Sequence, residues 1–240
     1  AGAALLASPE YARLELAALQ GAAHDLEASL HAAASLAEKA DHLMADLAQG
    51  YGVHILCPSG PVFDEDHDRP VNRAWLLGPD PAGPFLGHQD KQVMTRFERE
   101  TWNVLPGDPL GVIDTPLGRI GILICYDAEF PETVRHVASL GAEVVLVPTA
   151  LGAQWGWVAH TMIPCRAYEN GVYLAYANSA GSQNGMEFLG ASVIAAPGGA
   201  EAVRAGSEPE VIFADLDQAK VQAAQAGLPY LKDRLSLKLT

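Results

Sequence analysis

Gly118-Arg119-Ile120-Gly121-Ile122-Leu123-Ile124-Cys125-Tyr126-Asp127-Ala128-Glu129-Phe130-Pro131-Glu132 is the stretch on which the fold turns. Residues 120–125 form a short continuous aliphatic run, the pattern of a strand buried on both faces. Pro131 suits a first helical turn, and the spacing predicts a helix over 131–140 that Gly141 stops. Strand, turn and helix in that order put Cys125 at a strand's carboxyl end, where α/β proteins open onto a ligand crevice. A thiol there can be activated by nearby cations or a helix amino terminus. The rival reading is a small core hydrophobe, the commoner fate of a free cysteine. Cys57 and Cys165 have no comparable setting and read as core. Position alone leaves both readings of Cys125 open.

Outward from this stretch, β-branched or aliphatic runs at 53–57, 143–148, 172–177, 191–195 and 211–214 predict further strands. Ala-rich stretches with helical spacing alternate with them. One covers 26–49 and breaks at Gly50; another covers 159–170 and is stopped by Gly171. Residues 73–77 and 85–88, joined through Pro79-Asp80-Pro81-Ala82-Gly83, predict a hairpin, so the sheet should be mixed. The alternation implies α/β layering in one domain over 1–240. Met44, Met162 and Met186 read as core.

Composition narrows the function classes. Of 240 residues, 49% are apolar and 18% charged, a globular balance. The net charge of −14, from 29 acidic and 15 basic side chains, argues against nucleic acid and against an anionic membrane surface. No apolar run reaches the roughly 18–20 residues of a membrane span. The first ten residues lack the basic region of a signal peptide. Three cysteines fit reduced thiols in a cytoplasmic protein. Asp64-Glu65-Asp66-His67-Asp68 reads as a solvated loop, and with no His-Glu-x-x-His motif neither a metal nor a zinc hydrolase is expected. None of the eight histidines stands in a signature that marks it as partner to the thiol.

The residues 118–132 closely resemble the nucleophile motif of the nitrilase superfamily, the carbon–nitrogen hydrolases. Leu5-Leu6-Ala7-Ser8-Pro9-Glu10-Tyr11 is similar to that family's glutamate-bearing strand end, and Asp90-Lys91-Gln92, running through Phe97-Glu98-Arg99-Glu100 to Pro106-Gly107-Asp108, to its lysine segment. Arg166-Ala167-Tyr168-Glu169-Asn170, Tyr176-Ala177-Asn178, Gly190-Ala191-Ser192 and Pro197-Gly198-Gly199 resemble its later blocks, in the same order. The resemblance implies a four-layer α-β-β-α sandwich. It implies Glu10 as general base and then acid, Lys91 as oxyanion donor and Cys125 as nucleophile. Glu100 is the second glutamate by its spacing to Pro106, with Glu98 as the alternative. Tyr126, Trp155 and Phe188 are implied around the substrate, Tyr126 through its backbone N–H. Trp155 and Trp157 read equally well as packing aromatics.

Family members usually carry a strand and helix before the Glu10 segment. The chain starts almost at that segment, so the first strand and helix are expected to be absent and the domain shortened at its amino end. True nitrilases tend to have Trp-Glu after the cysteine, so Tyr126-Asp127 implies a hydrolase of small-molecule, non-peptide amides. N-carbamoyl hydrolysis and nitrile hydrolysis are the alternatives within the fold; a non-catalytic scaffold is the alternative outside it. No cofactor is implied, and a homodimer or larger homo-oligomer is.

Overall fold

The computed structural model describes residues 2–63, 68–183 and 185–238. The expected acidic loop lies outside these, apart from Asp68. One sheet contains β1 (Leu5–Ala7), β2 (His54–Leu56), β3 (Gly60–Val62), β4 (Val71–Leu77) and β5 (Phe85–Asp90). β1 runs parallel to β2; β2 and β3 share one edge of β4, and β5 takes the other in the expected hairpin. The second sheet contains β6 (Val112–Thr115), β7 (Gly118–Ile122), β8 (Val144–Thr149) and β9 (Tyr173–Asn178). After a separate hairpin, β10 (Ala180–Gln183) and β11 (Met186–Leu189), it continues with β12 (Val193–Ala195) and β13 (Glu201–Arg204). β7, β8 and β9 are parallel, while β6, β12 and β13 join antiparallel, so both sheets are mixed.

The helices are α1 (Leu26–Ser35), α2 (Ala37–Tyr51), α3 (Arg96–Glu100), α4 (Pro131–Ser139), α5 (Ile163–Asn170), α6 (Gln218–Gly227) and α7 (Tyr230–Asp233). Layering follows from the period-two alternation of strands. Val144 and Leu146 of β8 face the first sheet and pack with Leu56, Ala74 and Leu76. Val145 and Val147, one step out of phase, face α4 and α5 and pack with Val134, Val137, Ile163 and Ala167. The far side of the first sheet packs Ile55 and Leu77 against Ala45 and Ala48 of α2. The result is the expected α-β-β-α sandwich. Each fully buried aliphatic side chain in it contributes about 1.5–3 kcal/mol of burial. Among the described residues no helix is long and apolar enough to cross a membrane.

Three expectations are corrected. The helix over 26–49 is two helices: the Leu36 N–H bonds back to Ala33, closing α1 before α2 begins. Gly50 lies inside α2, and Gly52, with φ 65°, ends it. The strand 120–125 stops at Ile122, because Asp127 draws the following backbone into a turn. Residues 211–214 form no strand: they line a groove of about 760 Å³ together with β1 and pair with no strand among the described residues.

Candidate active site

Cys125 opens a tight turn, Cys125–Glu129, between β7 and α4, and its φ is 49°. A non-glycine residue in the left-handed region costs roughly 1–2 kcal/mol and needs surroundings that hold it. Asp127 supplies them. Its buried carboxylate accepts the N–H of Ile124 at 3.2 Å, of Val93 at 2.7 Å and of Gln92 at 3.2 Å. One side chain thus ties the Cys125 turn to the backbone just after Lys91. Burial pushes this carboxyl up to about 6, against the pull of the same N–H bonds.

Lys91 follows β5, and its N–H bonds to Asn72 O at 2.9 Å. Just ahead, Asp90 is gripped by Arg73 through two bonds of 2.7 and 2.8 Å. Gly107 donates to Lys91 O at 2.9 Å, and a Cβ on it would run into Asp90, reaching 3.1 Å from its Cα. That close approach is why the Pro-Gly-Asp turn needs glycine. The Lys91 ammonium, 1% exposed, donates to Glu10 Oε1 at 2.7 Å and to both Glu98 oxygens at 2.8 Å.

Glu10 leaves β1 at the turn where Tyr11 has φ 54°. Its Oε1 also accepts from Asn72 Nδ2 at 3.0 Å, and its Oε2 from the Ala150 N–H at 3.1 Å. The Cys125 thiol lies near enough to Glu10 for each group to act on the other's proton affinity. Glu98 is fixed by a capping box with Thr95 and by Tyr11 Oη at 2.9 Å. Glu100 is corrected here. Two residues further along α3 it faces away from Lys91, is 58% exposed and pairs with Arg96 on the surface. Spacing to Pro106 could not reveal which helix face turns inward.

Glu10, Lys91 and Glu98 together carry a net charge of −1 when ionised, and burial favours neutrality. Burial raises the Glu10 carboxyl above its ordinary range despite Lys91. Burial works on Glu98 the same way, but Lys91 and the Thr95 bonds outweigh it and leave Glu98 below the usual value. Lys91 itself, though buried, is held well above the lysine range by the Glu10 and Glu98 carboxylates. Burial and the Glu10 charge keep Cys125 well above the usual thiol range, so it rests as a neutral thiol. Of the two carboxylates on Lys91, Glu98 is thus held below its ordinary value and Glu10 above it.

These groups end a cleft of about 780 Å³ lined by Glu10, Lys91, Glu98, Cys125 and Phe188 among others. No histidine lines it among the described residues. Phe188 stands where expected. Trp155 does not: it is 59% exposed and outside the lining. The Tyr126 ring turns from the cleft to pack edge-on against Phe130 at 5.0 Å. Met186 and Cys165, both expected in the core, are exposed: Met186 lines the cleft, and Cys165 lies on an outer face of α5. Asn72 and the structural role of Asp127 were missed. Asn72 carries no local motif and meets Glu10 across 62 positions.

A family profile described as carbon-nitrogen hydrolase matches residues 1–226. An (R)-stereoselective amidase of a Pseudomonas species is 41% identical over 132 residues, 54% of this chain and 47% of the relative. A nitrilase of Pyrococcus abyssi is 36% identical over 169 residues, 70% of this chain and 60% of the relative. The chain thus spans about half the length of the curated relatives it matches. A cysteine-to-alanine variant of the Nesterenkonia amidase, solved in complex with butyramide, superposes with TM-score 0.72 at 30% identity, covering 98% of this chain and 85% of that one. The motif order, the two stacked sheets and these matches agree: the chain belongs to the carbon–nitrogen hydrolase family, the nitrilase superfamily, on its amidase-like side.

Proposed function

We propose that this chain hydrolyses small non-peptide amides through a thioester on Cys125. The observation that carries the reading is the convergence of Glu10, Lys91 and Cys125, from three separate segments, at the end of one cleft. Cys125 Sγ attacks the carbonyl carbon while Glu10 takes the thiol proton. The carbonyl π electrons move to oxygen, and Lys91, with the backbone N–H of Tyr126, meets the charge that develops there. One Lys91 N–H swings from Glu98 to the oxyanion. Glu10 then protonates the leaving nitrogen, the C–N bond breaks, and ammonia or an amine departs. Water, deprotonated by Glu10, opens the thioester to release the acid and restore the thiol.

The likeness to a butyramide-binding amidase supports amides ahead of nitriles. Tyr126 and Asp127 side chains do not line the cleft, so their contrast with Trp-Glu is not a direct substrate contact. A panel of butyramide, an N-carbamoyl amine and butyronitrile, assayed for ammonia, tests the reading. Turnover of butyramide supports it; turnover of butyronitrile alone sinks it. In the same reading the protein is cytoplasmic, which three unpaired thiols support, and a homo-oligomer, supported by the half-exposed Tyr168 and Tyr230 on the outer helices.

Two expectations follow from the geometry. The acid limb of kcat/KM should lie above pH 4.5, the ordinary glutamate value, because Glu10 must be ionised to accept the thiol proton and burial raises its pKa. A pH profile with its acid limb below that value contradicts the assignment. Glu98→Gln should lower kcat/KM at least tenfold, or about 1.4 kcal/mol, and cost about 1–3 kcal/mol of stability. Glu100→Gln should change stability by no more than about 0.5 kcal/mol and leave turnover at the wild-type rate. Paired kinetics and urea melts compare the two.

A further inference from the structure

The cleft's wall and rim identify the kind of amide it accepts. Lys91 is the sole lysine or arginine among the described residues lining it, and it is already engaged by two carboxylates. Toward solvent the lining includes the exposed Glu15, Glu208 and Glu210, of which Glu210 also accepts the Gly206 N–H at 3.0 Å. A second, independent feature points the same way. Phe97 and Trp102, packed edge to face at 4.9 Å, and Phe188 make part of the lining aromatic. Aromatic faces attract cations through the ring quadrupole, and acidic rims add a long-range field. At about 780 Å³ the space also falls well within the size of sites that hold drug-sized ligands. It has room for much more than a four-carbon amide.

We propose that the cleft is charge-selective: it takes amides whose acyl chain is apolar and ends in a basic group, tolerates neutral chains, and rejects chains that end in a carboxylate. This rests on the amidase reading. An anionic chain would find no free cation to pair with and would meet three carboxylates on entry. A cationic chain lies along the aromatic wall with its head at the acidic rim.

Three amides of matched length test the inference: aminocaproamide, caproamide and adipic monoamide, with ammonia release measured at low and high ionic strength. At low salt kcat/KM should fall in that order, with the cationic amide favoured over the anionic one by roughly tenfold or more. The ratio should shrink as salt screens the rim. It should shrink also in the triple variant Glu15→Gln, Glu208→Gln, Glu210→Gln, whose folding is checked by thermal melting. A second arm does not depend on turnover. Iodoacetamide and iodoacetate label Cys125 in the wild type, and each rate is divided by that at the exposed Cys165. The neutral reagent should be favoured at Cys125.

Adipic monoamide hydrolysed as fast as caproamide, or a ratio that neither salt nor the triple variant moves, overturns the proposal. Failure of all three amides to react refutes the amidase reading instead, and the labelling ratio then decides charge selectivity by itself. Iodoacetate reaching Cys125 as readily as iodoacetamide, on the Cys165 scale, overturns it there.

Discussion

Lys91→Met is expected to cost about 3–5 kcal/mol of stability, the usual penalty for stripping one partner from a buried ion pair. Its ammonium holds together two carboxylates that are each 3% exposed. Without it, Glu10 and Glu98 face each other unneutralised, and the folded state must take up protons to survive. Their folded pKa values then rise above the unfolded ones. The deficit should therefore be small at acid pH and widen as pH rises through the raised folded values. Urea melts across pH read this directly; a deficit that narrows with rising pH would contradict the charge assignment. Turnover should fall by at least about 10³-fold, since an oxyanion donor alone is worth roughly 10²–10³. Lys91→Arg should not restore it. A planar five-donor fork does not fit a site built around a compact ammonium with three close oxygens.

Cys125→Ala should reduce turnover by roughly 10⁴–10⁶-fold, the scale seen when a nucleophile is removed from a working triad. The fold should survive nearly intact. Alanine occupies the same left-handed φ as cysteine, and the Asp127 bonds that impose the turn remain. Thermal melting within about 5 °C of wild type, beside abolished ammonia release, would separate lost chemistry from lost structure. Cys125→Ser should also fail. A serine hydroxyl is far less acidic than a thiol, and the burial that already raises the Cys125 pKa would raise it further. A serine variant that retains substantial turnover would argue against a thiol mechanism.

Much of this was legible in the sequence because the signals are local. The aliphatic run before Cys125, the prolines and glycines around α4 and α5, and the ordered motif blocks each depend on a few adjacent residues. Phe188, implied by the resemblance and by no local signal, lines the cleft. What escaped depends on facing and on distance. Glu98 and Glu100 share composition, charge and helix, and only the rotation of α3 separates the buried one from the exposed one. Asn72 reaches Glu10 through the pairing of β4 in the first sheet, which no neighbouring residue announces. Trp155 is a pocket wall only by the resemblance, through the loop after the post-cysteine strand, yet its turn leaves it on the surface. Residues 211–214 have the continuous apolar run of a buried strand, but strands are made by partners.

Asp127 shows the converse. It was noticed as a family marker, and its physical role proved to be holding Cys125 and the Lys91 segment in register. Cys57, by contrast, is the core thiol it resembled: burial, with the Asp41 charge, pushes its pKa up to about 12 against the weaker pull of Arg13.

The central claim is that the acyl group passes through Cys125. Acid quenching during turnover of p-nitrophenyl butyrate, an activated acyl donor that makes deacylation the slow step, followed by peptide mass mapping, tests it most directly. One butyryl group is expected on the peptide carrying Cys125 and none on those carrying Cys57 or Cys165. Steady turnover with the butyryl group on another residue, or on no residue at all, would contradict it.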